Sequence, residues 1–151
     1  MLPSTVSRVP AHTDAEVNER IRQRTAQSIA HFQNASAAAI TQRRRGLDEE
    51  WDIERTLEAN AATASLIGLT LGATVDRRWY LFPAVVAGFL LQHALQGWCP
   101  PLPVFRRMGI RTSYEIDYER NALKALRGDF RSFAQEQPNS TPAKALAAAE
   151  K

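Results

Sequence analysis

The sequence predicts an all-α protein: a two-span transmembrane helical hairpin with amphipathic cytoplasmic helices on both sides. Three observations predict it. Residues 79 to 99, from Trp79 to Cys99, contain no Lys, Arg, Asp or Glu, and about 20 helical residues span roughly 30 Å, the thickness of a bilayer's hydrocarbon core. A second uncharged run, Ala59 to Val75, precedes it across Asp76-Arg77-Arg78. Trp79, Tyr80 and Trp98 bracket the longer run, as interface-seeking aromatics bracket a spanning helix.

Composition is consistent with this plan. Hydrophobic residues make up 44% of the 151, yet the mean hydropathy of −0.33 is low. Position reconciles the two, because apolar residues concentrate in the middle and charges lie outside it. A formal charge of +3, with no basic run interleaved with aromatics, argues against nucleic acid as a partner. One cysteine excludes an internal disulfide framework and a Cys-based zinc cluster. Neither a cofactor nor a metal is expected. The first ten residues lack the apolar core of a secretory signal peptide.

In chain order, residues 1–12 carry Pro3 and Pro10 without periodicity and read as a disordered tail. Thr13 and Glu16 fit a capping box opening a cytoplasmic helical segment over 13–47. Its apolar stripe is thin, so it needs a partner to be stable. Arg43-Arg44-Arg45-Gly46 reads as a helix end, with cations in the last turn and glycine beyond. Asp48 then caps a helix running into the hairpin domain, 48–112, with spans at about 59–75 and 79–99. Pro100, Pro101 and Pro103 stop the second span. Val104 to Met108 form a short interfacial helix. Thr112 and Glu115 make a second capping box for a C-terminal cytoplasmic helix in segment 113–130, lined by Ile116, Leu123 and Leu126 and ending at Gly128. Residues 131–151 read as a disordered tail.

Topology follows from cations near the spans. Arg43, Arg44, Arg45, Arg55, Arg106, Arg107 and Arg111 flank them, and only Arg77 and Arg78 lie in the turn. That asymmetry places both termini in the cytoplasm of a bacterial inner membrane, with the lipid bilayer as first partner. Within the spans, Ala64, Gly68 and Gly72 recur at four-residue spacing, and Ala84 and Gly88 offer a matching small face. Packing of the hairpin on itself is the plainer use of these residues; a homodimer is the sharper one.

Gln92, His93 and Gln96 are polar groups inside a span, which ordinarily face protein or water. The favoured reading has them bonding across the hairpin to Thr63, Thr70 or Thr74. Cys99, near Arg106 and Arg107, is the candidate functional thiol. His93 lies six residues earlier, about 240° around a helix, so the favoured reading makes Cys99 structural. No catalytic constellation appears.

Residues from about Glu54 to Thr112 resemble the YgaP-like transmembrane-domain family of small bacterial inner-membrane hairpins of undefined function. The resemblance rests on Glu54-Arg55, on Gly97-Trp98-Cys99-Pro100, and on Met108-Gly109-Ile110 followed by Thr112. Pro101-Leu102-Pro103 departs from the family's usual ending. That family occurs alone or fused to sulfurtransferase domains, for which this chain has neither the length nor a second cysteine.

The sequence therefore points to a non-enzymatic membrane scaffold or interaction module with an unknown cytoplasmic protein partner. Its alternatives are a thiol- or sulfur-handling accessory using Cys99, and a soluble helical bundle in which 59–99 form a buried hairpin.

Overall fold

The computed structural model describes residues 3–130, which are all-α, with no strand among them. The helices are α1 (Arg8–Ala11), α2 (Ala15–Phe32), α3 (Ala37–Glu49), α4 (Ile53–Thr74), α5 (Leu81–Gln96), α6 (Leu102–Arg107) and α7 (Ser113–Arg127), with a 3-10 turn at Arg77–Tyr80. The tail read at 131–151 lies outside the described residues. Residues 3–22 with 51–114 form one compact unit, and residues 23–50 with 115–130 form another.

No helix among the described residues is long and apolar enough to cross a membrane. The run 79–99 is α-helical only over the 16 residues of α5, about 24 Å at 1.5 Å per residue against the roughly 30 Å required. Trp79 and Tyr80 lie in the 3-10 turn, and Gly97, at φ 83°, ends α5 before Trp98 and Cys99. α4 is longer, at 22 residues, but Glu54, Arg55, Glu58, Asn60, Thr63 and Ser65 dilute its apolar content. The transmembrane spans, the inner-membrane location and the cytoplasmic placement of both termini are corrected accordingly.

Local boundaries also differ from the sequence reading. α3 runs through Gly46 and ends at Glu49, because Ile40 and Leu47, seven residues apart on one face, are both buried. Their burial, at roughly 1.5–3 kcal/mol each, outweighs the ~1 kcal/mol that glycine costs inside a helix. The break falls at residues 50–52, where the Asp52 carboxylate, not Asp48, caps α4 by accepting from the Arg55 amide at 2.8 Å. Residues 8–12 are no tail, since α1 buries Val9. Nor does Thr13 cap α2. Its hydroxyl donates to the Val9 carbonyl at 2.9 Å, and the Val17 and Asn18 amides donate instead to the Asp14 carbonyl. Pro101 and Pro103 open α6 rather than end α5, in positions where a missing N–H goes unnoticed.

In the first unit, α4 and α5 form a hairpin through the 3-10 turn. The Asp76 carboxylate caps that turn on the Arg78 amide at 2.8 Å. Val9, Ile53, Leu57, Cys99 and Leu102 make the core at the hairpin's open end, with Trp98, Phe105 and Ile110 against it. The Ile53 amide donates to the Arg111 carbonyl at 2.8 Å, fixing the start of α4 there.

In the second unit, Ile40 and Leu47 pack with Ile116 and Leu123, flanked by Phe32 and Leu126. Glu119, fully buried on the apolar face of α7, accepts from the Ser28 hydroxyl at 2.6 Å and from Arg43 Nε at 2.9 Å. A buried carboxylate held this way is costly to strip of its partners. After α7, Asp129 takes both arms of Arg127, at 2.8 and 2.7 Å. This hydrogen bonding holds the Asp129 carboxyl below the usual range.

Candidate functional site

The open end of the hairpin gathers Arg8, Glu54, His93 and Cys99. The assembly starts from Gly97. Its positive φ turns the chain back at the end of α5, and a Cβ there would lie 2.6 Å from the Arg8 carbonyl carbon and oxygen. Only glycine permits that approach. Arg8 thereby reaches the C-terminus of α5, where its guanidinium donates to the His93 and Ala94 carbonyls at 3.2 and 2.6 Å. A cation at a helix C-terminus also meets the negative end of the helix dipole. The same guanidinium donates to Glu54 Oε1 at 2.8 Å.

Glu54, in the first turn of α4, places its second oxygen 2.9 Å from His93 Nε2. The His93 side chain is 2% exposed, and its other nitrogen, Nδ1, is buried with no hydrogen bond of ordinary geometry. The Cys99 thiol is the largest influence on the ring. Together with Glu54, it raises His93 to about 9 against the desolvation that burial imposes. The bond to His93 in turn holds Glu54 below the usual carboxylate range, against its own burial, with Arg8 assisting. At neutral pH the cluster therefore holds an imidazolium and a guanidinium against one carboxylate. An anion arriving at Cys99, or formed on it, meets the surplus positive charge.

Cys99 is buried and unpaired. It forms part of the wall of an apolar groove of about 480 Å³ between α4 and α5, with Leu57, Ala61, Ala64, Val86 and Phe89. Among the described residues, Asn60 is the only other polar side chain lining it.

The structure uses the remaining predicted residues differently. Cβ atoms at Gly68 and Gly72 would meet Pro83 and Phe82, and Tyr80, respectively. The helix face opposite them is thus formed by these rings. Ala84 and Gly88 are exposed, and Gly88 has nothing within 4 Å of where a Cβ would be. Gln92 is half-buried and Gln96 exposed. Thr63, Thr70 and Thr74, their expected partners, donate to carbonyls four residues back within α4.

The arginines near the two apolar runs divide between buried and surface positions. Arg106 is fully buried, donating to Thr13, Asn18 and the Ile110 carbonyl, and Arg111 is buried as well. Arg107 pairs with Asp14 at 2.9 Å, Arg43 with Glu119 and Arg44 with Asp129 at 3.5 Å. Arg55 stacks 4.4 Å over Trp51, and Arg45 is exposed.

Sequence reasoning missed the influence of Cys99 on His93 and the parts of Glu54 and Arg8. The 240° argument holds only along an unbroken helix, and Gly97 breaks it. A glycine two residues before the cysteine was the available sign. No family model, curated protein or solved structure matches this chain.

Proposed function

We propose that this chain is a thiol-bearing helical protein in which Cys99 accepts a transferable group. His93 serves as its proton donor, and Glu54 and Arg8 position the imidazole. The observation that carries this reading is the hydrogen-bonded series Arg8–Glu54–His93, its imidazole buried, with the only cysteine of the chain acting on that ring. A thiol becomes a useful nucleophile when a neighbouring cation stabilises its anion. An imidazolium oriented by a carboxylate also supplies a proton to a leaving group.

The test is alkylation by iodoacetamide at pH 7, read by mass spectrometry. Cys99 should react faster than free cysteine, and His93→Gln should slow it at least ten-fold while the helical circular dichroism persists. A Cys99 that reacts no faster than free cysteine, or equally fast in His93→Gln, would remove the reading.

A second reading rests on a separate observation. Leu66, Val75, Leu81 and Leu91 on the hairpin are 61–70% exposed, and exposed apolar side chains at this density mark association surfaces. In that reading the hairpin is an interaction module that pairs with a second copy. Sedimentation velocity should then show a dimer that Leu66→Glu with Leu91→Glu converts to monomer; an unaltered monomer in both would end it.

A further inference from the structure

Building on the thiol reading, we infer that the group Cys99 accepts is a medium-chain acyl group, delivered as a thioester, whose chain lies in the groove between α4 and α5. The groove, at about 480 Å³, falls within the roughly 300–1,000 Å³ range of small-molecule sites. Apart from Asn60 and Cys99, its lining is apolar, and no charged side chain among the described residues lines it. That excludes a charged body and suits an alkyl chain. Ala61 and Ala64 on α4 leave the space. Cys99 is itself part of the wall, so an acyl chain lying in the groove presents its carbonyl to sulfur.

The second observation is the buried Nδ1 of His93, which makes no hydrogen bond of ordinary geometry and belongs to the ring on which the groove-lining Cys99 acts. Nε2 is taken by Glu54, so Nδ1 is the ring position left for a reacting group. Cys99 is also the only cysteine in the chain. A dithiol redox cycle would need a second thiol, whereas thioester exchange needs one.

In the step, the Cys99 thiol first releases its proton to solvent, since the His93 ring already carries one, and the thiolate attacks the carbonyl carbon of the thioester. A new S–C bond forms, the donor's C–S bond breaks, and the imidazolium of His93 gives its proton to the departing thiolate. The products are S-acyl Cys99, a free thiol, a neutral imidazole and the proton released to solvent. Charge and protons balance, and no electron changes hands.

The test uses the full chain with N-acetylcysteamine thioesters of acetate, butyrate and octanoate, scored as the rate of acyl-Cys99 formation by mass spectrometry. Burial of each methylene favours reaction about three- to four-fold, so octanoyl transfer should exceed acetyl transfer at least 100-fold even if only part of the chain is sheltered. Ala64→Trp should abolish that preference. If the variant does not fold, octanol added to the native protein gives the same information: it should slow octanoyl transfer and leave acetyl transfer alone.

Equal rates along the series, or an octanoyl preference that octanol does not reduce, would overturn the acyl assignment. If Cys99 nonetheless outpaces free cysteine toward iodoacetamide, the thiol reading survives and only the acyl group is wrong. If iodoacetamide also reacts slowly, both fall.

Discussion

Stability of the hairpin unit should fall by about 3 kcal/mol as pH rises from 6.5 to 9. The amount follows from His93, raised from 6.5 to about 9 in the folded chain, with each tenfold gain in proton affinity equivalent to ~1.4 kcal/mol. Below pH 6.5 the ring is protonated in both states, and the whole contribution of its contacts with Cys99 and Glu54 is present. Between 6.5 and 9 only the folded state holds the proton, so stability declines steadily as pH rises. Above 9 the ring is neutral in both states and nothing remains to lose. The assay is urea unfolding at pH 6, 7.5 and 9, followed by tryptophan fluorescence, since Trp98 packs against this core. His93→Gln should be less stable than the native chain at pH 6 and should not show the decline. Glu54→Gln and Cys99→Ala should each narrow the window from its alkaline end. A native chain that is flat from pH 6.5 to 9, or a decline that persists in His93→Gln, would refute the charged-cluster account. On the acid side the sign reverses: Glu54 is held low, so its contribution is present above its ordinary value of 4.5 and is lost as pH falls through its lowered one.

Gly97→Ala should destabilise the chain by about 2–4 kcal/mol in the same assay, combining left-handed backbone strain with overpacking against the Arg8 backbone; it should also slow alkylation of Cys99. The two hairpin glycines should differ. At Gly68 a methyl would meet the Pro83 ring at 2.7 Å, which cannot rotate away, so Gly68→Ala should lose about 1–2 kcal/mol. At Gly72 the neighbour is Tyr80, whose exposed side chain can swing aside. Gly72→Ala should therefore be neutral or gain up to ~1 kcal/mol from helix propensity.

Patterns set by neighbouring residues were legible in the sequence. The all-α class follows from apolar periodicity and capping residues, and the reversal at Asp76-Arg77-Arg78 from a short polar break between apolar runs. The end of α7 follows from Gly128, which has φ 87°. Arrangements set by distant residues were not. Glu54 is 39 residues from His93 and Arg8 is 85 away, and no local period joins them. Gly46 misled in the opposite direction. A glycine after three arginines has the composition of a helix end, but burial of Leu47 one residue later keeps α3 helical through it.

The membrane reading failed for a related reason. Counting charges treats each arginine as a solvated cation near an apolar run, and hydropathy treats each apolar residue as helical. Here Arg106 is buried among hydrogen-bond acceptors, and five of the 21 residues from Trp79 to Cys99 lie outside α5. The decisive residue is Gly97. By ending α5 it shortens the apolar helix below bilayer thickness, and by admitting the Arg8 backbone it brings a cation to the helix terminus. The same reversal returns Cys99 to His93. One left-handed glycine thus removes the feature that suggested a span and creates the cluster in the hairpin unit where a thiol, an imidazole and a carboxylate act on one another.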